Sequence, residues 1–268
     1  MRILLTNDDG VHAPGLAVLL NIARQLSDDI WIVAPSEENS GAGHSLTLSR
    51  PLRVRRHGDR HYSVDGTPTD SVLMAVAKLM KDSPPDLILS GVNRGGNLAE
   101  DVSYSGTVSA AVEGALAGIP SIALSQCYSR EGAGNSVSFE TAENWGVRVL
   151  QPLIALLSDD AAMPARTLLN VNFPACAAGD VAGIRSVALG RHDYGRVRII
   201  TNQDPRGFDY HWFGLAPTEK TPEHSSDLEA VSENHISVTP LHLDMTHYAS
   251  LELLESRLAA ATGNQGDM

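Results

Sequence analysis

Residues 2–35 read RILLTNDDGVHAPGLAVLLNIARQLSDDIWIVAP, and their reading decides the fold. RILLT (2–6) reads as a short, fully buried strand. Pro14 and Gly15 then start an amphipathic helix through LAVLLNIARQLS (16–27), with Leu16, Leu19, Leu20, Ala23 and Leu26 on one stripe. IWIVAP (30–35) is a second all-apolar strand. Strands that are apolar throughout and separated by a helix imply a parallel sheet covered on both faces.

Downstream the rhythm repeats. TDSVLMAVAKLM (69–80) is a helix opening on a Thr or Asp cap, Pro84-Pro85 stops it, and DLILSG (86–91) is a third buried strand. TVSAAVEGALAG (107–118) is a small-residue helix ending at Gly118, and IPSIALS (119–125) is the next strand. Four strand–helix steps over residues 1–126 predict an α/β, Rossmann-like doubly wound domain with a mainly parallel sheet. Between its second strand and second helix, RPLRVRRHGDRHYSV (50–64) alternates as a β-hairpin with arginines on its wet face.

Residues 127–268 are expected as a C-terminal part with the smaller core. FETAENWGVRVLQPLIALLS (139–158) is a helix bent at Pro152, and TLLNVNFP and IRSVALG are further strands. Residues 190–245 are polar, Pro-rich and expected as β-hairpins, HISVTPLHL (235–243) among them. YASLELLESRLAAA (248–261) is a closing helix and GNQGDM a frayed tail. A long hairpin region with little core of its own is suited to exchanging elements with a neighbouring subunit.

The bulk numbers exclude several classes. A formal charge of −12 argues against a nucleic-acid binder, which needs a basic face to release counterions. No apolar run approaches the roughly 18–20 residues that span a bilayer, and no secretory leader is visible, so a cytoplasmic protein without membrane contact is expected. Cys127 and Cys176 stand far apart without metal spacing, as reduced thiols do.

In open parallel sheets, ligands bind beyond the carboxyl ends of the strands. Those ends carry NDDG (7–10), SEENSGAGHS (36–45), SGVNRGGN (90–97) and then YSGTV (104–108). Asp8 and Asp9 point to opposite faces within a strand, but Gly10 lets both turn toward one place at its end. Such close like charges force one to protonate unless a hard divalent cation lies between them. An Asp at this place also serves as a helix cap or turn residue, which accounts for one of the pair and not for both. Gly41 and Gly43 bring backbone N–H groups close to an anion, and Ser40 adds a hydroxyl. Asn93 arrives at a strand tip with a neutral amide oxygen. Ser105-Gly106-Thr107 opens a helix whose free N–H groups suit a phosphate. His12 and His44 lie in the same loops as candidate proton donors, and Tyr104 as a candidate stacking partner for a base.

These stretches together resemble the SurE (survival protein E) family of metal-dependent 5′/3′-nucleotidases. The resemblance rests on ILLTNDDG, VAPSEENSGAGHSLT, SVDGTPTDSV, DLILSGVNRGGN and DVSYSGTVSAAVEGALAGIPSIALS, with LNVNFP and HISVTPL in the distal half. It implies a Rossmann-like part and a C-terminal part exchanged in homodimers or homotetramers. It also implies hydrolysis of nucleoside monophosphates, with some members accepting polyphosphate. By the family pattern Asp8, Asp9, Ser40 and Asn93 coordinate one divalent ion per subunit, Mg²⁺ or Mn²⁺. Ser40, Gly41, Asn93, Ser105, Gly106 and Thr107 then surround the phosphate, and Asp8 and Asp9 are the catalytic pair. Two rivals keep the same loops: a metal-dependent nucleotide-sugar transferase, and a nucleotide-binding regulatory module without turnover. The module gains nothing from two further negative charges.

Overall fold

The computed structural model describes residues 1–128, 138–159, 162–191, 197–215 and 225–262. The tail at 263–268 and the histidines at 192 and 224 lie outside them. Strand β1 (Arg2–Thr6) sends Ile3 and Leu5 to one face and Leu4 to the other, all fully buried. The first face receives α1 (Pro14–Ala23) and α4 (Glu140–Leu157), where Leu16, Leu19, Ile22, Val149 and Leu150 join Ile3 and Leu5 in one cluster. Leu4 meets the opposite layer, where Val72 of α2 (Pro68–Met74) and Ala110 of α3 (Gly106–Leu116) pack on it. The period of two along β1 therefore feeds two helical layers, as a doubly wound sheet requires.

One nine-stranded sheet runs through the molecule. It contains β1, β2 (Asp29–Pro35), β3 (Val54–Gly58), β4 (His61–Val64), β5 (Leu87–Arg94), β6 (Ser121–Gln126), β7 (Thr167–Phe173), β8 (Gly183–Ser186) and β11 (His235–His242). The order is β3-β4-β2-β1-β5-β6-β7-β11-β8, parallel from β4 to β7. The chain passes from β1 outward to β2 and later returns to β1's other side with β5. The sheet's switch in winding therefore falls at β1, where ligand crevices form. A separate antiparallel hairpin pairs β9 (Val197–Gln203) with β10 (Asp209–Leu215), and α6 (Tyr248–Thr262) closes the described chain.

Several boundaries differ from the sequence expectation, each for a local reason. Helix α1 ends at Ala23, not Ser27, because Gln25 and Leu26 turn back to the carbonyls of Ile22 and Ala23 (3.1 and 2.9 Å) in a tighter final turn. The second helix is capped by Thr67, ahead of the expected Thr69 or Asp70. The Thr67 side chain accepts from Asp70 N–H (3.1 Å) while Asp70 Oδ2 accepts from Thr67 N–H (2.8 Å), a reciprocal capping box. α2 gives way at Ala75–Leu79 to a π-helical turn. β5 continues beyond Gly91 to Arg94, since Asn93 and Arg94 pair again with Ser125 and Gln126 after an irregularity. α4 runs on through Pro152.

HISVTPLHL is not a hairpin. It is the single strand β11, antiparallel to β7 and parallel to β8. Its Pro240 sits opposite Leu169, past Val238 where pairing with β8 stops, so the missing N–H falls where that side has no partner strand. The distal half thus extends the sheet that residues 1–126 begin.

Candidate active site at the tips of β1, β2 and β5

Immediately after β1 the chain turns through Asn7, Asp8, Asp9 and Gly10. Asn7 Nδ2 donates to Gly10 O (2.9 Å), closing the turn. Gly10 takes φ +99°, and a Cβ there would lie 3.2 Å from the Glu37 carbonyl carbon, so the loop after β2 presses directly on it. Three bonds join this turn to its neighbours. Asn39 N–H donates to Asp8 O (2.8 Å), Arg94 N–H donates to Asp9 Oδ2 (3.2 Å), and the Thr107 hydroxyl donates to Asp8 Oδ1. A fourth, Gly43 N–H to Tyr104 O (3.0 Å), links the β2 loop to the turn leading into α3. The four segments singled out in the sequence therefore meet at one edge.

Asp8 is 4% exposed. Burial pushes its carboxyl up to about 6, and the charge of Asp9 adds to the rise against the lowering bond from Thr107. Asp9 is also raised, first by burial and further by Glu38, while the Arg94 N–H and guanidinium oppose the shift. A buried and a half-buried carboxyl, both raised by burial and by neighbouring acids, form a site short of positive charge. Asn7 Oδ1 points the same way, being a buried acceptor with no hydrogen-bond partner among the described residues. Hard oxygen donors of this kind fit a divalent cation of the magnesium type. The candidate set holds only two carboxylates, beside a hydroxyl and an amide; among the described residues no group of three or more His, Cys, Asp or Glu could hold a metal.

The other expected residues fall as follows. Ser40 donates to Glu38 Oε1 (2.9 Å), and Asn93 Nδ2 donates to Gly95 O (2.9 Å), which occupies the donor end of its amide. Gly41 takes φ +76° with open space where a Cβ would stand. Ser105 caps α3, its Oγ accepting from Val108 N–H (3.0 Å). Gly106 lies so close to Asp8 that a Cβ would come within 2.7 Å of the aspartate's Cβ. His44 pairs with Glu113 on α3 (2.9 Å), and His12 stands edge-on to His57 of the hairpin with ring centroids 5.4 Å apart. Sequence reasoning passed over Asn7, Glu38 and Arg94. Glu38 was visible as half of an acidic doublet beside Ser40, and Arg94 as the single cation in SGVNRGGN.

Comparison with known proteins identifies the family. The profile of the Survival protein SurE family matches residues 3–196. A 5′-nucleotidase SurE from Rhizorhabdus wittichii is 64% identical over 251 residues, spanning 94% of this chain and 97% of the relative. Another of the same description from Parvibaculum lavamentivorans is 48% identical, spanning 96% and 91%. The crystal structure of a SurE protein from Aquifex aeolicus superposes with a TM-score of 0.78 at 37% identity, covering 95% of this chain and all of that one.

Proposed function

This chain belongs to the SurE family and is a hydrolase of nucleoside monophosphates, and we propose that it works at the corner formed by Asp8 and Asp9. Asp8, Asp9, Ser40 and Asn93 would hold one divalent cation, Mg²⁺ or Mn²⁺, per subunit. The chemistry that such an ion supplies when bound is screening of the ester's charge and a more acidic water. The observation that carries this reading is the buried Asp8 carboxyl, raised to about 6 beside a second acid at the mouth of α3.

The remaining work falls to the chain's own groups. The N–H groups of Gly41, Gly106 and Thr107, with the Ser105 hydroxyl, stabilise charge on the phosphoryl oxygens as the ester bond breaks, joined by the Ser40 hydroxyl once it turns from Glu38. Thr107 serves through its backbone, since its hydroxyl is committed to Asp8. Asp9, the less buried acid, orients the attacking water and takes its proton. Residues 1–126 supply every metal and phosphate ligand. Residues 127–268 supply contacts for a homodimer or homotetramer, for which Trp212, Phe213, Leu254 and Leu258 stand exposed on the hairpin and α6. Both cysteines are free, and among the described residues no helix is long and apolar enough to cross a membrane; the cytoplasm is the compartment we assign.

Phosphate release from AMP tests the reading. It should vanish in EDTA, return with Mn²⁺ or Mg²⁺, and fall by several orders of magnitude in Asp9→Asn. A folded Asp9→Asn variant of full activity would remove Asp9 from the chemistry.

A further inference from the structure

Beyond Asn93 the edge of the sheet opens into a cavity of about 470 Å³ at the tips of β5, β6 and β7. Gly95 and Gly96 line one side, Tyr128 another, and Val231, Ser232 and Asn234 at the end of α5 (Asp227–Ser232) a third. Its size lies within the range of about 300–1,000 Å³ typical of small-molecule sites. Among the described residues lining it none carries a charged side chain, and the Cys127 thiol is held neutral by burial. The cavity therefore suits a neutral body and not a phosphate.

Hydrogen bonds tie its position to the candidate catalytic corner. Asn93 Nδ2 donates to Gly95 O (2.9 Å), and Gly95 N–H donates to Gln126 O (2.9 Å), so the metal ligand proposed above and the cavity wall share one hydrogen-bonded turn. From the tip of β1 to that of β6 is two strand spacings of about 4.8 Å each, roughly the reach of a ribose and base from a phosphate held at Asp8 and Asp9. Tyr128 is 43% exposed, and its Cε1 comes within 3.3 Å of a Cβ placed on Gly95. An aromatic ring so placed at a cavity wall offers a face to a flat heterocycle, while the Ser232 hydroxyl and the Asn234 amide line the same space with polar groups.

We infer that this cavity is the nucleoside subsite, with Tyr128 the ring against which the base packs. The inference rests on the phosphomonoesterase reading and adds to it where the leaving nucleoside sits. It also replaces Tyr104, the sequence candidate for stacking, which does not line the cavity and whose carbonyl is bonded to Gly43.

The test compares AMP with ribose 5-phosphate, an ester lacking the base, in the full-length protein with Mn²⁺. The wild type should prefer AMP in kcat/KM. Tyr128→Ala should reduce that preference about tenfold or more, chiefly through KM for AMP, as loss of one base–aromatic stack does. Ser232→Trp, at an exposed position, should do the same by filling the cavity, and it decides the matter if Tyr128→Ala does not fold. Tyr104→Ala should leave the preference in place. A wild type without preference, or variants that retain it, would overturn the assignment. If neither ester is hydrolysed, the hydrolase reading fails separately. Calorimetric binding of AMP then decides the cavity: weakened binding in both variants upholds it, and unchanged binding sinks it.

Discussion

Thr107, the second residue of α3, donates its hydroxyl hydrogen to Asp8 Oδ1 and so clamps together positions 99 residues apart. The bond opposes burial and Asp9, which together lift the Asp8 carboxyl from its ordinary 3.8 to about 6. A raised carboxyl means that the folded chain keeps a proton the unfolded chain has released. The stability this gives is complete below the ordinary range and is lost as pH rises through about 6. Near neutrality the ionised group costs the metal-free fold on the order of 3 kcal/mol. Asp8→Asn keeps the acceptor for Thr107 and removes the charge. In EDTA it should melt above the wild type near neutrality and alongside it below the ordinary carboxylate range, by scanning calorimetry, while nucleotidase activity is lost.

Gly106 tests how tightly the corner is built. A methyl group there would stand 2.7 Å from Asp8 Cβ and 2.9 Å from Pro68 Cγ. Gly106→Ala should destabilise by about 1–3 kcal/mol through overpacking. It should also lower kcat on the order of a hundredfold by displacing Asp8. Gly118→Ala, strained at φ +75° but facing open space, should cost about 1 kcal/mol and leave kcat in place.

Asp227 is fully buried and accepts from the N–H groups of Ala99 (2.8 Å), Gly190 (2.7 Å) and Leu228 (2.9 Å). Ala99 begins the short helical turn (Ala99–Ser103) that leads to Ser105, so this carboxylate ties α5 to the segment entering α3 across 128 residues. Asp227→Ala leaves three donors stranded and should cost about 3 kcal/mol or more in urea unfolding. Asp227→Asn, retaining one acceptor, should fall between that variant and the wild type.

The two thiols should differ in reactivity. Cys127 is 9% exposed and is pushed up to about 12, first by burial and then by Asp227. Cys176 is more accessible and only moderately raised. With Ellman's reagent on native protein, Cys176 should react first and Cys127 only on unfolding, as a thiol count against time will show.

The parallel half of the fold was legible because RILLT, IWIVAP and DLILSG are apolar on both faces, a pattern that only a covered sheet satisfies. That four loop segments meet at one edge was legible for a related reason: crevices form beyond the carboxyl ends of parallel strands, and a cap or turn accounts for one of two adjacent acids there and not for both. What could not be read was partnership at a distance. Nothing local in HISVTPLHL distinguishes one long strand from a hairpin, because its neighbours β7 and β8 lie elsewhere in the chain and pairing decides the matter. The Thr107–Asp8 bond was hidden likewise, since a Thr opening a helix looks like any capping residue. The place of Tyr128 at a cavity wall was hidden too, since Ala175 and Asn234, which line the same cavity, lie far along the chain.

The place of β11 between β7 and β8 also bears on how the protein is made. Gly183–Ser186 finds its strand partner only in His235–Val238, fifty-odd residues later in translation. While the ribosome is still producing the hairpin region, β7 presents an open edge and β8 has nothing to join. The nascent chain must carry that raw edge until the last strand emerges, and during this interval it depends most on chaperone cover against clumping.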